Sequence, residues 1–101
     1  MTFGFSKEQF FVLCELVINP FKDHGFEVYI FGSRVTGKFH PYSDVDLIYV
    51  KPPNAESVNL DISKIKEAIE DSAFPFTVDL VDASDLAASY RANVDDQKIK
   101  L

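Results

Sequence analysis

The chain has 101 residues, a formal net charge of −6 and an apolar content of 47%. Its length predicts a single domain over residues 1–101, and its apolar content excludes a disordered tail. The acidic charge excludes a broad nucleic-acid surface, which needs clustered lysine and arginine. No apolar run approaches the roughly 20 residues that span a bilayer, so we expect no membrane association. The one cysteine, Cys14, allows no internal disulfide and predicts a reducing, cytoplasmic location.

The first predicted helix begins after residues 1–5, which we expect to fray. Ser6 and Gln9 form a capping-box pattern, and Pro20 predicts that the helix ends at about Asn19. The apolar residues of its buried stripe recur at helical spacing and are Phe10, Leu13, Cys14, Val17, Ile18 and Phe21. Phe11 and other apolar residues fall outside that stripe. This apolar surface predicts that either a protein partner or the C-terminal helix packs against the first helix.

Short apolar runs at residues 28–31 and 44–50 predict two buried strands, and residues 77–82 predict a third. Between them, helical spacing over residues 60–69 predicts a second helix with Asn59 or Asp61 as its cap.

A last helix is expected after a cap at Asp82 or Ser84, and residues 98–101 are expected to form a short tail. The apolar positions of this helix are Leu86, Ala87, Tyr90 and Val94. The order α-β-β-α-β-α predicts an α/β (α+β) fold in which helices cover a small mixed sheet of three or more strands.

The turn between the first two strands carries the chemistry that stands out in this sequence. Gly32 allows a sharp turn and a close approach to phosphate, and Ser33 opens a short helical turn whose N–H groups can hold phosphates. Asp44 and Asp46 are spaced i, i+2, so they lie on one face of a strand, about 6.6 Å apart at Cα. Paired carboxylates suit hard cations such as Mg²⁺. The stretch therefore predicts chemistry on a nucleotide.

Gly32 to Lys38 also matches the opening of a P-loop, G-x-x-x-x-G-K. A P-loop continues with Ser or Thr and leads directly into a long helix. Here Phe39 takes the hydroxyl position and Pro41 follows, which excludes the P-loop.

Gly-Ser, ten intervening residues and Asp-x-Asp together resemble the signature of the DNA polymerase β-like nucleotidyltransferase superfamily. Within it, residues 31–34 and 43–47 look like the minimal nucleotidyltransferase (MNT) domains, which are often paired with a HEPN-domain partner in toxin–antitoxin modules. The resemblance extends over about residues 10–82 and implies the polymerase β-like palm fold. The C-terminal segment departs from it, because residues 94–97 read Val-Asp-Asp-Gln where these domains often carry a Glu-Gly step.

The resemblance implies that Asp44, Asp46 and Asp79 are catalytic ligands of two Mg²⁺ ions. Asp79 takes the place of the family's third acid and would also act as a base; its competitor, Asp82, points to the other face of its strand.

Gly32 and Ser33 match the nucleotide-binding turn, and Arg34 and Lys38 are candidate phosphate contacts. The structural alternatives are a turn acid at Asp44, a solvent-facing acid at Asp79 and solvated charges at Arg34 and Lys38. His24 and His40 are expected at the surface.

The implied activity is transfer of a nucleoside monophosphate, AMP from ATP or another NTP, to an acceptor hydroxyl. The implied acceptor is a tyrosine of a HEPN-type toxin, so that the chain acts as an antitoxin. The apolar first helix would contact this partner or a second copy of the chain. Two alternatives stay open, namely a non-catalytic antitoxin that masks its partner by contact, and transfer to a small molecule such as an antibiotic.

Overall fold

The computed structural model describes residues 3–38, 40, 42–54 and 60–101. The elements, in chain order, are α1 (Lys7–Leu13), a π-helical segment (Cys14–Ile18), α2 (Asn19–Asp23), β1 (Glu27–Phe31), α3 (Ser33–Thr36), β2 (Val45–Val50), α4 (Ile62–Asp71), β3 (Val78–Asp82), a 3₁₀ helix (Ala83–Asp85), α5 (Ala88–Gln97) and β4 (Ile99–Lys100). They form a mixed sheet with helices on its faces, which confirms the predicted fold class. Within the described ranges, no helix is both long and apolar enough to cross a membrane.

The sheet has the strand order β3-β2-β1-β4. β1 pairs antiparallel with β2 and β4, whereas β2 and β3 run parallel, as expected for strands joined through a helix such as α4. The expectation of a C-terminal tail is wrong, because Ile99 pairs with Ile30 and the N–H of Leu101 donates to the Val28 carbonyl at 2.9 Å. Two residues are too few for a strand signal, but they satisfy the open edge of β1.

One face of the sheet carries the main core, which α1, the π-helical segment, α2 and α4 cover. Its fully buried residues from helices and strands include Leu13, Val17, Phe21, Val28, Ile30, Val45 and Leu47. Phe5 is also fully buried in this core, so the expectation that residues 1–5 fray is wrong for it. Its ring packs against Phe10, Phe74 and Phe76, and this contact fixes the N-terminal segment.

The first helix does not end at Asn19 as expected. Its capping box at Ser6 is confirmed, but the chain stays helical through Pro20 to Asp23. Proline has no N–H and clashes with the carbonyl four residues earlier, and the wider π turn before it relieves both problems. In α4, Asp61 is the N-cap as predicted, while the alternative, Asn59, lies outside the described residues.

The last helix packs on the opposite face of the sheet, where Val94 contacts Phe31 and Ile48. It therefore does not cover α1, and Phe11 stays 65% exposed. Its predicted start is also wrong, because α5 begins at Ala88, beyond Leu86 and Ala87.

The side chain of Asp82 caps the 3₁₀ helix instead of α5, since it accepts from the N–H of Ser84 at 2.9 Å. Asp82 is only 10% exposed and also binds Lys51, with Nζ 2.8 Å from Oδ2. Burial alone would raise the pKa of this carboxyl, but the hydrogen bonds from Lys51 and Ser84 outweigh it and hold the pKa below 3.8.

A folded-state pKa below the unfolded value means that Asp82 stabilises the fold above the unfolded pKa and loses this effect as the pH falls through the folded pKa. Asp82→Asn should therefore lower the free energy of unfolding at neutral pH by about 1–3 kcal/mol. The variant should also lose less stability than the wild type as the pH falls below about 4. Urea unfolding across this range measures both effects. Glu67→Gln, on the exposed face of α4, is the control and should keep the wild-type pH dependence; an Asp82 variant that also keeps it would contradict the assignment.

Candidate functional site

Two of the predicted acids lie side by side where β1 ends and β2 and β3 begin. Asp46 and Asp79 are direct partners in the parallel register of β2 and β3, and neighbouring strands are about 4.8 Å apart. Asp44 immediately precedes β2. Asp46 is half-buried, whereas Asp44 and Asp79 are exposed. The sheet therefore brings the three predicted acids to the same end of β2 and β3.

These carboxylates interact electrostatically. The pKa of Asp46 is raised above 3.8, first by burial and then by the negative charges of Asp79 and Asp44. Oxygen donors of this kind suit Mg²⁺. In the conformations of the described residues, however, no three His, Cys, Asp or Glu side chains converge on a point that could hold a metal ion. The three carboxylates are donors of the right type at one end of the strands, but their side chains do not converge on a common point.

The glycine turn lies directly against Asp46. Gly32 follows β1 with φ +82° and ψ −155°, a conformation essentially restricted to glycine. A Cβ at this position would overlap Oδ2 of Asp46 and lie 3.3 Å from its Cγ. Ser33 then opens α3, which ends after one turn at Gly37. The absence of a long helix here agrees with the exclusion of a P-loop.

A cavity of about 420 Å³ opens beside the turn and the acids. Its lining comes from the strands, the turn and one side of α5 and consists of Phe31, Gly32, Thr36, Asp46, Asp79, Val81, Tyr90, Val94 and Gln97. Sequence reasoning did not single out Thr36, Tyr90 or Gln97 for this site. For the two residues of α5 the available signal was helical spacing, because Tyr90, Val94 and Gln97 fall at i, i+4 and i+7 and share one face of the helix. No such signal existed for Thr36.

Arg34 does not line this cavity. Its side chain is only 3% exposed, and it donates to the carbonyls of Phe3 at 3.0 Å and Ser43 at 2.7 Å. The guanidinium lies over the rings of both Phe5 and Phe76, 4.7 Å and 4.3 Å from their centroids. Burial lowers its pKa and the charge of Asp44 opposes that shift. Arg34 thus joins the turn to the N-terminal segment and is directed away from the cavity lining.

The other candidates lie outside the cavity. Lys38 is exposed, and its backbone N–H donates to the Ser33 carbonyl at 3.1 Å. His24 and His40 are exposed, as expected. Asp82, the competitor of Asp79, is bound to Lys51 and Ser84 instead.

The family model of the nucleotidyltransferase domain matches residues 14–100. The curated "Probable protein adenylyltransferase MntA" of Haemophilus influenzae is 36% identical over 66 residues, which cover 65% of this chain and 56% of that protein. The chain thus spans little more than half the length of this relative. A chain of a solved structure described as a toxin–antitoxin with AMP-PNP is 25% identical, with a TM-score of 0.60, over 85% of this chain and 69% of that one.

Gly32→Ala should destabilise the fold by more than Gly37→Ala. Both glycines have a positive φ, but only a Cβ at Gly32 meets the Asp46 carboxylate, while nothing lies within 4 Å at Gly37. We expect a loss of about 1 kcal/mol at Gly37 and at least about 2–3 kcal/mol at Gly32. Urea unfolding measures the difference, and equal losses would show that the Asp46 contact costs nothing.

Arg34→Leu should lower the free energy of unfolding by about 3 kcal/mol or more, because two carbonyls lose their donor and two rings lose the cation. Lys38→Ala, four residues away on the exposed side of the same turn, should stay within about 0.5 kcal/mol of the wild type. Chemical denaturation compares the two. A small effect at Arg34 would refute its structural role.

Proposed function

Because the chain belongs to the nucleotidyltransferase domain family, we propose that it transfers AMP from ATP to the hydroxyl of a tyrosine on a HEPN-type toxin and so acts as an antitoxin. The observation that carries this proposal is the placement of Asp46 beside Asp79 and against the Gly32 turn. Phosphates held near the turn would lie next to the carboxylates of β2 and β3.

In this proposal Asp44, Asp46 and Asp79 hold Mg²⁺. The fit rests on their oxygen donors and on the raised pKa of Asp46, which burial and two neighbouring negative charges produce. The exposed side chains of Asp44 and Asp79 have room to turn toward Asp46. Bound Mg²⁺ would supply positive charge to the phosphates.

The chain's own residues would position the reactants and accept one proton. The acceptor hydroxyl oxygen forms a bond to the α-phosphorus, the bond from that phosphorus to the bridging oxygen breaks, and pyrophosphate leaves. Asp79, which is exposed beside Asp46, takes the hydroxyl proton. Gly32 lets the turn pack directly against the Asp46 carboxylate, because it has no Cβ to overlap that side chain.

Three observations favour a protein acceptor. The relative from Haemophilus influenzae carries the name of a protein adenylyltransferase, and the solved neighbour is a toxin–antitoxin structure with AMP-PNP. In this chain, Phe11 on α1 is 65% exposed, which is unusual for a phenylalanine and suits a partner surface.

The transfer is tested by intact mass spectrometry of the chain and a co-expressed HEPN-type toxin, incubated with ATP and Mg²⁺. We expect a mass gain of one or more AMP units on the toxin, and peptide mapping should place it on a tyrosine. An unmodified toxin in a complex that binds Mg-ATP would overturn the proposed acceptor.

Asp44→Asn, Asp46→Asn and Asp79→Asn should each reduce transfer on the order of 100-fold or more, because each removes a negatively charged ligand of the Mg²⁺ that would neutralise the phosphates. Asp71→Asn, the same change at the exposed end of α4, is the matched control and should transfer at the wild-type rate. Melting temperatures confirm that the variants fold. Retained transfer in the folded Asp44 variant would refute the metal-ligand assignment.

The exposed Phe11 also favours a second candidate, a binding subunit that silences its partner by contact alone. Titration calorimetry with Mg-ATP separates the two, because a purely masking subunit should give no binding heat. Phe11→Ala should then abolish silencing, whereas an enzyme that turns over repeatedly should silence an excess of toxin. Modification of a small molecule instead of the toxin would show as an AMP adduct on that molecule.

A further inference from the structure

The end of α5 reaches the glycine turn through one side chain. Gln97, the last residue of α5, accepts a hydrogen bond from the backbone N–H of Gly32, with 3.2 Å between nitrogen and Oε1. Gln97 also lines the cavity that contains Asp46 and Asp79. A single side chain thus contacts both the turn and the space in front of the acids.

The backbone on both sides of Gln97 is fixed. Val94, one turn earlier in α5, is buried against Phe31 and Ile48. Two residues after Gln97, Ile99 pairs with Ile30 of β1. Between them, Lys98 binds Asp95 at 2.9 Å and stacks on the Tyr29 ring, with Nζ 4.5 Å from the centroid. Gln97 therefore holds its position through core packing and strand pairing.

The orientation of the amide follows from its partner. A backbone N–H can only donate, so the Gln97 atom that faces Gly32 has to be the oxygen, and the NH₂ group lies on the other side of the amide. No hydrogen bond from this NH₂ group is present within the described part of the chain. Two N–H donors are thus directed away from the turn on a side chain that lines the cavity.

The cavity needs donors of this kind if it binds an anion. Its charged lining residues, Asp46 and Asp79, are negative, and Arg34 and Lys38 do not line it. Neutral N–H and O–H groups are the donors that the described lining residues offer to phosphate oxygens. Of these, Gln97 reaches the turn from a distant helix, because its side chain accepts from the Gly32 N–H.

We propose that Gln97 binds the phosphate chain of a nucleoside triphosphate, with its oxygen holding the Gly32 turn and its NH₂ group donating to a phosphate oxygen. The proposal rests on the proposed function, since it names a ligand contact of the same site. It assigns the C-terminal helix to the nucleotide site as one of its walls.

Two substitutions separate the two ends of the amide. Gln97→Glu keeps an acceptor for the Gly32 N–H but replaces the NH₂ donor with an oxygen. The hydrogen bond to the turn is therefore kept, while the phosphate contact is lost. Gln97→Met has a side chain of similar length and removes both the acceptor and the NH₂ donor. Asn93→Asp adds the same negative charge to α5 at an exposed residue outside the cavity lining and is the matched control.

Titration calorimetry with AMP-PNP and Mg²⁺ gives the readout. Gln97→Glu and Gln97→Met should each weaken binding by roughly 10- to 100-fold, because a hydrogen bond to a charged group is lost. The Glu variant should keep the wild-type melting temperature and the Met variant should melt lower. Asn93→Asp should bind AMP-PNP as the wild type does.

Wild-type affinity for AMP-PNP in the Glu variant would overturn the inference and would show that Gln97 only holds the Gly32 turn in place. An equal loss in Asn93→Asp would also overturn it, since the effect would then be long-range charge. Both outcomes leave the proposed function intact. Failure of the wild-type chain to bind AMP-PNP would instead overturn the proposed function and the inference together.

Discussion

The parallel pairing of β2 with β3 is the constraint on which the site depends. It sets Asp46 beside Asp79, although like charges in adjacent strand positions destabilise a sheet. The opposite side of the same strands compensates, because Val45, Leu47 and Val78 are buried in the core under α1 and α4. Burial raises the pKa of Asp46, and the negative charges of Asp79 and Asp44 raise it further. Such local destabilisation is common where a protein maintains a charged functional site.

The turn after β1 is held from two directions. On one side, Arg34 lies over two aromatic rings and donates to the carbonyls of Phe3 and Ser43. On the other side, Gln97 accepts from the N–H of Gly32. The turn itself tolerates only glycine next to Asp46, because of its φ and because a Cβ would overlap the carboxylate. A helical segment of a single turn is thereby fixed in position beside the acids.

The two faces of the sheet have different roles. The face under α1 and α4 holds the larger core, including fully buried aromatic residues, and accounts for most of the apolar burial. The face under α5 has a smaller cluster around Phe31, Ile48 and Val94. This face also contains the open cavity that Asp46 and Asp79 line. Membership of the nucleotidyltransferase family agrees with this division, because a site of nucleotidyl transfer needs a rigid support and access for its substrates.

By itself the sequence determined the features that depend on near neighbours. The capping box at Ser6, the strands around the Gly-Ser turn and the fold class follow from local spacing, and so does the pairing of Asp44 with Asp46 as candidates. Asp79 became a candidate only through the resemblance to a known family. Only the tertiary structure decided what depends on distant contacts. Arg34 reads as a surface cation until the chain brings it to a carbonyl 31 residues away, and Gln97 reads as a helix end until it meets Gly32 across 65 residues. β4 likewise exists because β1 offers it an edge, since two residues have no strand propensity that local periodicity could reveal.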